Sequence, residues 1–106
     1  MGQIAEFSTQ DETKIINELL SENKEKYSLY DIFENLPFDI TYNNKRGYLS
    51  VSRLGIEYTS LSYDNKLNIV FVENTDYSRT NIFDCFIKTL QWFKKNESSI
   101  IVNILD

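Results

Sequence analysis

The sequence predicts an α+β domain: two N-terminal helices, a four-stranded antiparallel meander, one long helix and a C-terminal strand, in the order ααββββαβ. Three observations carry this. Apolar residues recur at helical spacing within residues 10–36 and again within 82–93, but alternate with a period of two across 38–73. Asn, Asp and Gly punctuate the alternating region at short intervals, as in a meander of hairpins. Pro37 divides the first helical region from the first alternating one, because it disfavours helix at the residue before it.

The first helix opens at Thr9-Gln10-Asp11-Glu12, which fits a capping box: hydroxyl and carboxylate each satisfy an orphan backbone N–H. Ile15, Ile16, Leu19 and Leu20 build its apolar face, and the pattern runs out around Asn23 to Lys26. Ser28 is the expected second cap, with Asp31 three residues on and a Tyr27–Ile32 staple. Leu29, Ile32, Phe33 and Leu36 form the core face of this short second helix. Residues 1–8 precede the first cap and are expected to be a flexible tail.

In the first expected strand Phe38, Ile40 and Tyr42 alternate with Asp39 and Thr41; the turn run Asn43 to Gly47 follows. Tyr48 to Ser52 is the second strand and Ile56 to Tyr63 the third. Leu49 and Val51 are apolar at odd positions, Ile56 and Tyr58 at even ones. A turn or bulge must therefore lie at Arg53-Leu54-Gly55, because one strand cannot change phase without an extra residue. That places Lys45-Arg46 at one end of the sheet and Arg53 at the other, too dispersed for a phosphate-binding patch. Asp64-Asn65 is another turn. Lys66 to Glu73 is the fourth strand, with Leu67, Ile69 and Phe71 on one side and Val70 and Val72 on the other.

Thr80 is the expected cap of the long helix, whose core face is Ile82, Phe83, Phe86, Ile87, Leu90 and Phe93. Lys94 and Lys95 suit its negative end, and Asn96 can take the left-handed terminating conformation. Ser99 to Leu105 forms the last strand, apolar on both sides. The helices are expected on one face of a five-stranded, mostly antiparallel sheet, within a single domain spanning residues 1–106.

Composition narrows the chemistry. The chain of 106 residues has no histidine, so Ser-His-Asp and Cys-His mechanisms are excluded. One cysteine cannot build a structural zinc site or an internal disulfide, and three isolated glycines make no phosphate loop. Neither cofactor nor metal is expected. No apolar run approaches a membrane span and the N-terminus lacks a signal peptide, so a reducing cytoplasm is expected, of the producing cell or of a host. Richness in Asn, Ile, Lys and Tyr suggests an AT-rich genome and a phage or mobile-element source.

Charge is concentrated at one end. Residues 1–37 hold eight acidic and three basic side chains, a net of −5, whereas residues 38–106 hold eight of each. Without a basic patch, direct binding of nucleic acid is not expected. Asp11, Glu18, Glu22 and Glu25 would fall within about 60° of one another on a continuous helix. Such a stripe is either a solvated flank or a docking surface for a basic partner. Trp92, beside Cys85 and Thr89 on the long helix, either completes the core or anchors an interface. Cys85 is expected to be a buried, inert thiol; Lys88 is the one cation in register to activate it. Tyr42, Tyr48, Tyr58 and Tyr63 are either ordinary strand residues or part of an outward sheet face.

These features lead to a small non-catalytic binding protein. Its most concrete form is an inhibitor, or an immunity- or antitoxin-like antagonist, docking on a nuclease, toxin or defence enzyme through Asp11, Glu18, Glu22, Glu25 and Trp92. A chaperone or adaptor, with a homodimer allowed, is the alternative, because the IIVNIL segment would be hazardous as an uncovered edge. An enzyme working with carboxylates alone is the third option.

Overall fold

Local hydrogen bonds start the first two helices where the capping residues stand. A computed structural model describes residues 6–52, 54–59, 68–73 and 82–104. Helix α1, Gln10–Leu20, begins with Thr9 Oγ1 accepting from Glu12 N–H while the Glu12 carboxylate accepts from Thr9 N–H. Helix α2, Leu29–Asn35, repeats the device with Ser28 and Asp31. Tyr27 and Ile32, the expected staple, are both fully buried in the core.

Strands β1 (Asp39–Tyr42), β2 (Lys45–Ser52), β3 (Gly55–Thr59) and β4 (Asn68–Glu73) form an antiparallel meander. Helix α3, Ile82–Lys95, follows; a 3₁₀ turn at Glu97–Ser99 then leads into β5, Ile100–Val102. Strand β5 returns to pair antiparallel with β1, giving the sheet order β4-β3-β2-β1-β5. The α+β class, element order and five-stranded sheet are therefore as the sequence predicts.

The β1–β2 turn is tighter than expected. Asn43 and Asn44 alone make it, both at positive φ (52° and 62°), as a two-residue type I′ hairpin requires. Lys45, Arg46 and Gly47 belong to β2, so the second strand starts three residues earlier than the turn composition suggests. The phase change between β2 and β3 is resolved as expected, with Ser52 paired to Gly55 across a two-residue connection. Gly55 sits at φ 149°, where a side chain would clash. Arg53, Tyr63, Asp64-Asn65 and Thr80 lie outside the described residues, as do the side chains of β4.

Helix α3 packs on β3 and β4, and α1 packs against α3. The core joins Ile16 of α1, Tyr27, Ile32 and Leu36 around α2, Ile56 of β3, and Ile82, Phe83, Cys85, Phe86, Ile87 and Leu90 of α3. Each large side chain buried this way contributes roughly 1.5–3 kcal/mol. Because cross-strand partners share a face, Ile56, Tyr58, Leu49, Val51, Ile40 and Tyr42 all lie on the helix side. Tyr58 stacks edge-on against Phe93 and donates its hydroxyl proton to Pro37 C=O at 2.6 Å; burial raises its pKa far above the ordinary phenol value.

Some expected core positions are outside. Ile15 and Phe33 are exposed, as is Phe38, which precedes β1 and rests against Tyr48. The apolar arcs of α1 and α2 are wider than the surface their neighbours cover. Asn96 does not take the left-handed conformation: it sits at φ −112°, ψ 18° and hands the chain on to the 3₁₀ turn. Strand β5 is shorter than Ser99 to Leu105, and Ile101 and Val102 are exposed rather than covered on both sides. No described helix is long and apolar enough to cross a membrane.

Candidate functional site

The acidic residues singled out above divide where α1 ends. Ser21 takes the left-handed conformation (φ 56°, ψ 44°), unusual for a residue with a side chain and costing roughly 1–2 kcal/mol. The Ser21 and Glu22 N–H groups both reach back to Asn17 C=O. Asp11 and Glu18 therefore lie on α1, whereas Glu22 and Glu25 lie in the segment after it. The single helical stripe does not form, because the helix stops at Leu20.

The fold nevertheless brings three of the four together. The Asn17 side chain clamps the returning chain: its Nδ2 donates to Lys24 C=O at 2.9 Å and its Oδ1 accepts from Lys24 N–H at 3.1 Å. The Tyr27 hydroxyl donates to the same oxygen at 2.5 Å. Held in this way, the segment curls beside α1 and leaves a shallow hollow of about 480 Å³, lined by Lys14, Glu18, Ser21, Glu22 and Glu25 among others. Asp11 does not line it. Among the described residues, no side-chain hydrogen bond or ion pair engages the carboxylates of Glu18, Glu22 and Glu25.

A second cavity of about 440 Å³ adjoins through Glu22 and adds Lys24, Tyr27, Glu34 and Asn35. Glu34 is a residue that reasoning from the sequence passes over; it accepts a hydrogen bond from Tyr30 and raises that phenol's pKa. Its one signal was membership of the acidic first third of the chain. Lys24, which lines this cavity beside Glu22, is paired with Asp31 at 3.0 Å and also feels the Glu22 carboxylate. That pair raises the Lys24 pKa; the Asp31 carboxyl is lowered first by the Ser28 N–H and then by Lys24.

Trp92 borders neither cavity. It is half-buried and meets Tyr42 and Phe93 edge to face, each at 5.1 Å. The structure thus separates Trp92 from the acidic residues and sets it against β1. Cys85 is fully buried; burial, with Asp84 adding to it, pushes its thiol up to about 11. Lys88, the cation in register, is engaged by Asp84 at 2.9 Å.

The sheet face away from α3 carries a polar cluster that composition alone does not reveal. Asp39, only 1% exposed, accepts from Arg46 Nη2 at 2.6 Å and from Arg46 Nε at 3.0 and 3.1 Å. Asn103 Nδ2 donates to Asp39 Oδ1 at 2.9 Å and to Thr41 Oγ1 at 3.0 Å. Arg46 and Asn103 hold the Asp39 carboxyl below its ordinary value. With its acceptors engaged, this carboxylate ties β1, β2 and the end of β5 together. Tyr48 shares this face beneath the Arg46 guanidinium, whereas Tyr42 and Tyr58 face the helices. Of the two readings of the tyrosines, the shared outward face does not form among the described residues, where Tyr42, Tyr48 and Tyr58 divide between the two faces as ordinary strand residues.

No group of three or more metal-capable side chains converges among the described residues. Comparison with protein-family models, with curated proteins and with solved structures finds no match. The fold and the cavities together define an α+β domain with a hollow at the end of its first helix in which three carboxylates outnumber one lysine, Lys14.

Proposed function

We propose that this chain is a non-catalytic binding protein that antagonises another protein by docking its acidic hollow on a basic surface. A nuclease, toxin or defence enzyme whose basic surface normally receives phosphate fits this description. The observation that carries the proposal is the convergence of Glu18, Glu22 and Glu25 on one open hollow, with none of the three in an ion pair among the described residues. Three desolvatable carboxylates held by a clamped backbone accelerate encounter with a cationic partner and penalise an anionic one. A reducing compartment, the cytoplasm of the producing cell or of a host, suits a chain whose one cysteine is a buried free thiol.

Affinity capture with the wild-type chain and with Glu18→Lys/Glu22→Lys/Glu25→Lys, side by side, tests this. A partner should be retained by the wild type and lost from the triple variant by about tenfold or more. All three positions are exposed, so the variant should fold as the wild type does. Recovery of the same proteins by both chains would overturn the proposal.

A further inference from the structure

A second surface lies at the sheet edge and is independent of the acidic hollow. Strand β5 ends the sheet, with β1 on one side and no strand on the other among the described residues. The pairing fixes which backbone groups are left over. Asn103 N–H bonds to Asp39 C=O, and antiparallel ladders alternate, so Ile101 and Asn103 direct their backbone groups toward β1. The groups of Ile100, Val102 and Ile104 consequently point to the open edge. The Ile100 N–H is already bonded to Glu97 C=O. The Ile100 carbonyl and both polar groups of Val102 and of Ile104 remain.

Native edges are usually blunted by charge, proline or a bulge. The run Ile100-Ile101-Val102-Asn103-Ile104 contains none of these, and Ile101, Val102 and Ile104 are 63%, 52% and 86% exposed. We propose that this edge pairs with the same edge of a second copy, about a two-fold axis through Val102, to give a continuous ten-stranded sheet. Self-pairing is favoured because the segment complements itself in that register. Val102 faces Val102 of the other copy, and Ile100 faces Ile104, all on the side that carries Tyr42 and Trp92. Four backbone bonds close the pair, two between the Val102 residues and one from each Ile104 N–H to the opposing Ile100 carbonyl, and each Ile104 carbonyl is left without a bond because the Ile100 N–H opposite is held by Glu97.

Charge does not oppose the contact. No charged side chain lies in residues 98–104, and the excess of −5 belongs wholly to residues 1–37. An edge of this length buries less than the ~1,200 Å² of a standard interface, so the dimer is weak and depends on concentration. It is isologous and closed, which protects both edges from open-ended pairing.

Sedimentation equilibrium from ~10 µM to ~1 mM reads this directly. The wild type should pass from one chain mass to two and go no further. Val102→Pro removes the outward N–H while sparing the β1 ladder, and Val102→Lys sets two ammonium groups across the axis. Each should raise the dimer dissociation constant at least tenfold while leaving the near-ultraviolet circular dichroism of Trp92 unchanged. Val102→Cys should form a covalent dimer on oxidation, because directly opposed residues of a bonded pair lie about 5.5 Å apart at Cα, within disulfide reach. Ile101→Cys, off the axis, should cross-link far less. A strict monomer, a dimer untouched by the Val102 variants, or growth beyond two chains would overturn the proposal. So would a wild type that stays monomeric yet binds a synthetic strand of different sequence.

Discussion

On the face beneath α3, Ile56 lies in the same buried cluster as Phe83 and Phe86, and Tyr58 stacks on Phe93. On the opposite face, the buried side chain is a carboxylate, Asp39, covered by Arg46 and Asn103. Both faces exclude water from a residue on an interior strand of the sheet, by different means. Apolar packing depends on volume and is nearly indifferent to pH. The polar clasp depends on charge state, and removing one partner strands the others. The difference teaches where this molecule is robust and where it can be loosened without unfolding.

The largest effect should come from the packed face. Phe86→Ala removes a fully buried ring from the centre of the cluster and should cost about 3–5 kcal/mol in denaturant-monitored unfolding. A loss below about 1 kcal/mol would mean that α3 does not seal the sheet as described.

The clasp should give a smaller effect that depends on pH. Asp39 has a lowered folded-state pKa, so its contribution is present above the unfolded carboxyl value. It is lost as pH falls through that value and then through the lower folded one. Asp39→Asn should therefore lower the urea midpoint at neutral pH by less than Phe86→Ala does. The gap from the wild type should close as both are measured toward the acid limb. A gap that stays constant with pH would mean the carboxylate's charge is immaterial to the clasp.

The smallest effect sharpens the boundary between inside and outside. Phe33 is 54% exposed on α2, one position from the fully buried Ile32. Phe33→Ser should change stability by no more than about 0.5 kcal/mol, as surface substitutions usually do. A loss of several kcal/mol would return Phe33 to the core.

What the sequence made legible was what short-range chemistry decides. Thr9 with Glu12, and Ser28 with Asp31, act across three residues, and both caps stand where the pattern puts them. The hairpin at Gly55 was legible because a period of two allows no silent phase change. The end of α1 was not, because Ser21 adopts a glycine-like conformation under a clamp between Asn17 and Lys24. Composition at Ser21 gives no hint of it, and the acidic stripe was misdrawn for that reason. Burial of Asp39 was equally hidden, since it depends on Asn103, 64 residues away. Exposure of Ile15 and Phe33 depends on how much of a helix its neighbours cover, which periodicity alone does not specify.

The same separation of charge from packing runs through the two proposals: docking through the acidic hollow would rest on its field, and self-association through β5 on backbone pairing. The association rate of the captured partner, measured against ionic strength for the wild type and for Glu18→Lys/Glu22→Lys/Glu25→Lys, tests the central claim most directly. The wild-type rate should fall steeply as salt shortens the Debye length from about 10 Å at 0.1 M toward about 3 Å at 1 M, and the triple variant should be slow throughout. Equal rates with equal salt dependence for the two chains would contradict docking through the hollow.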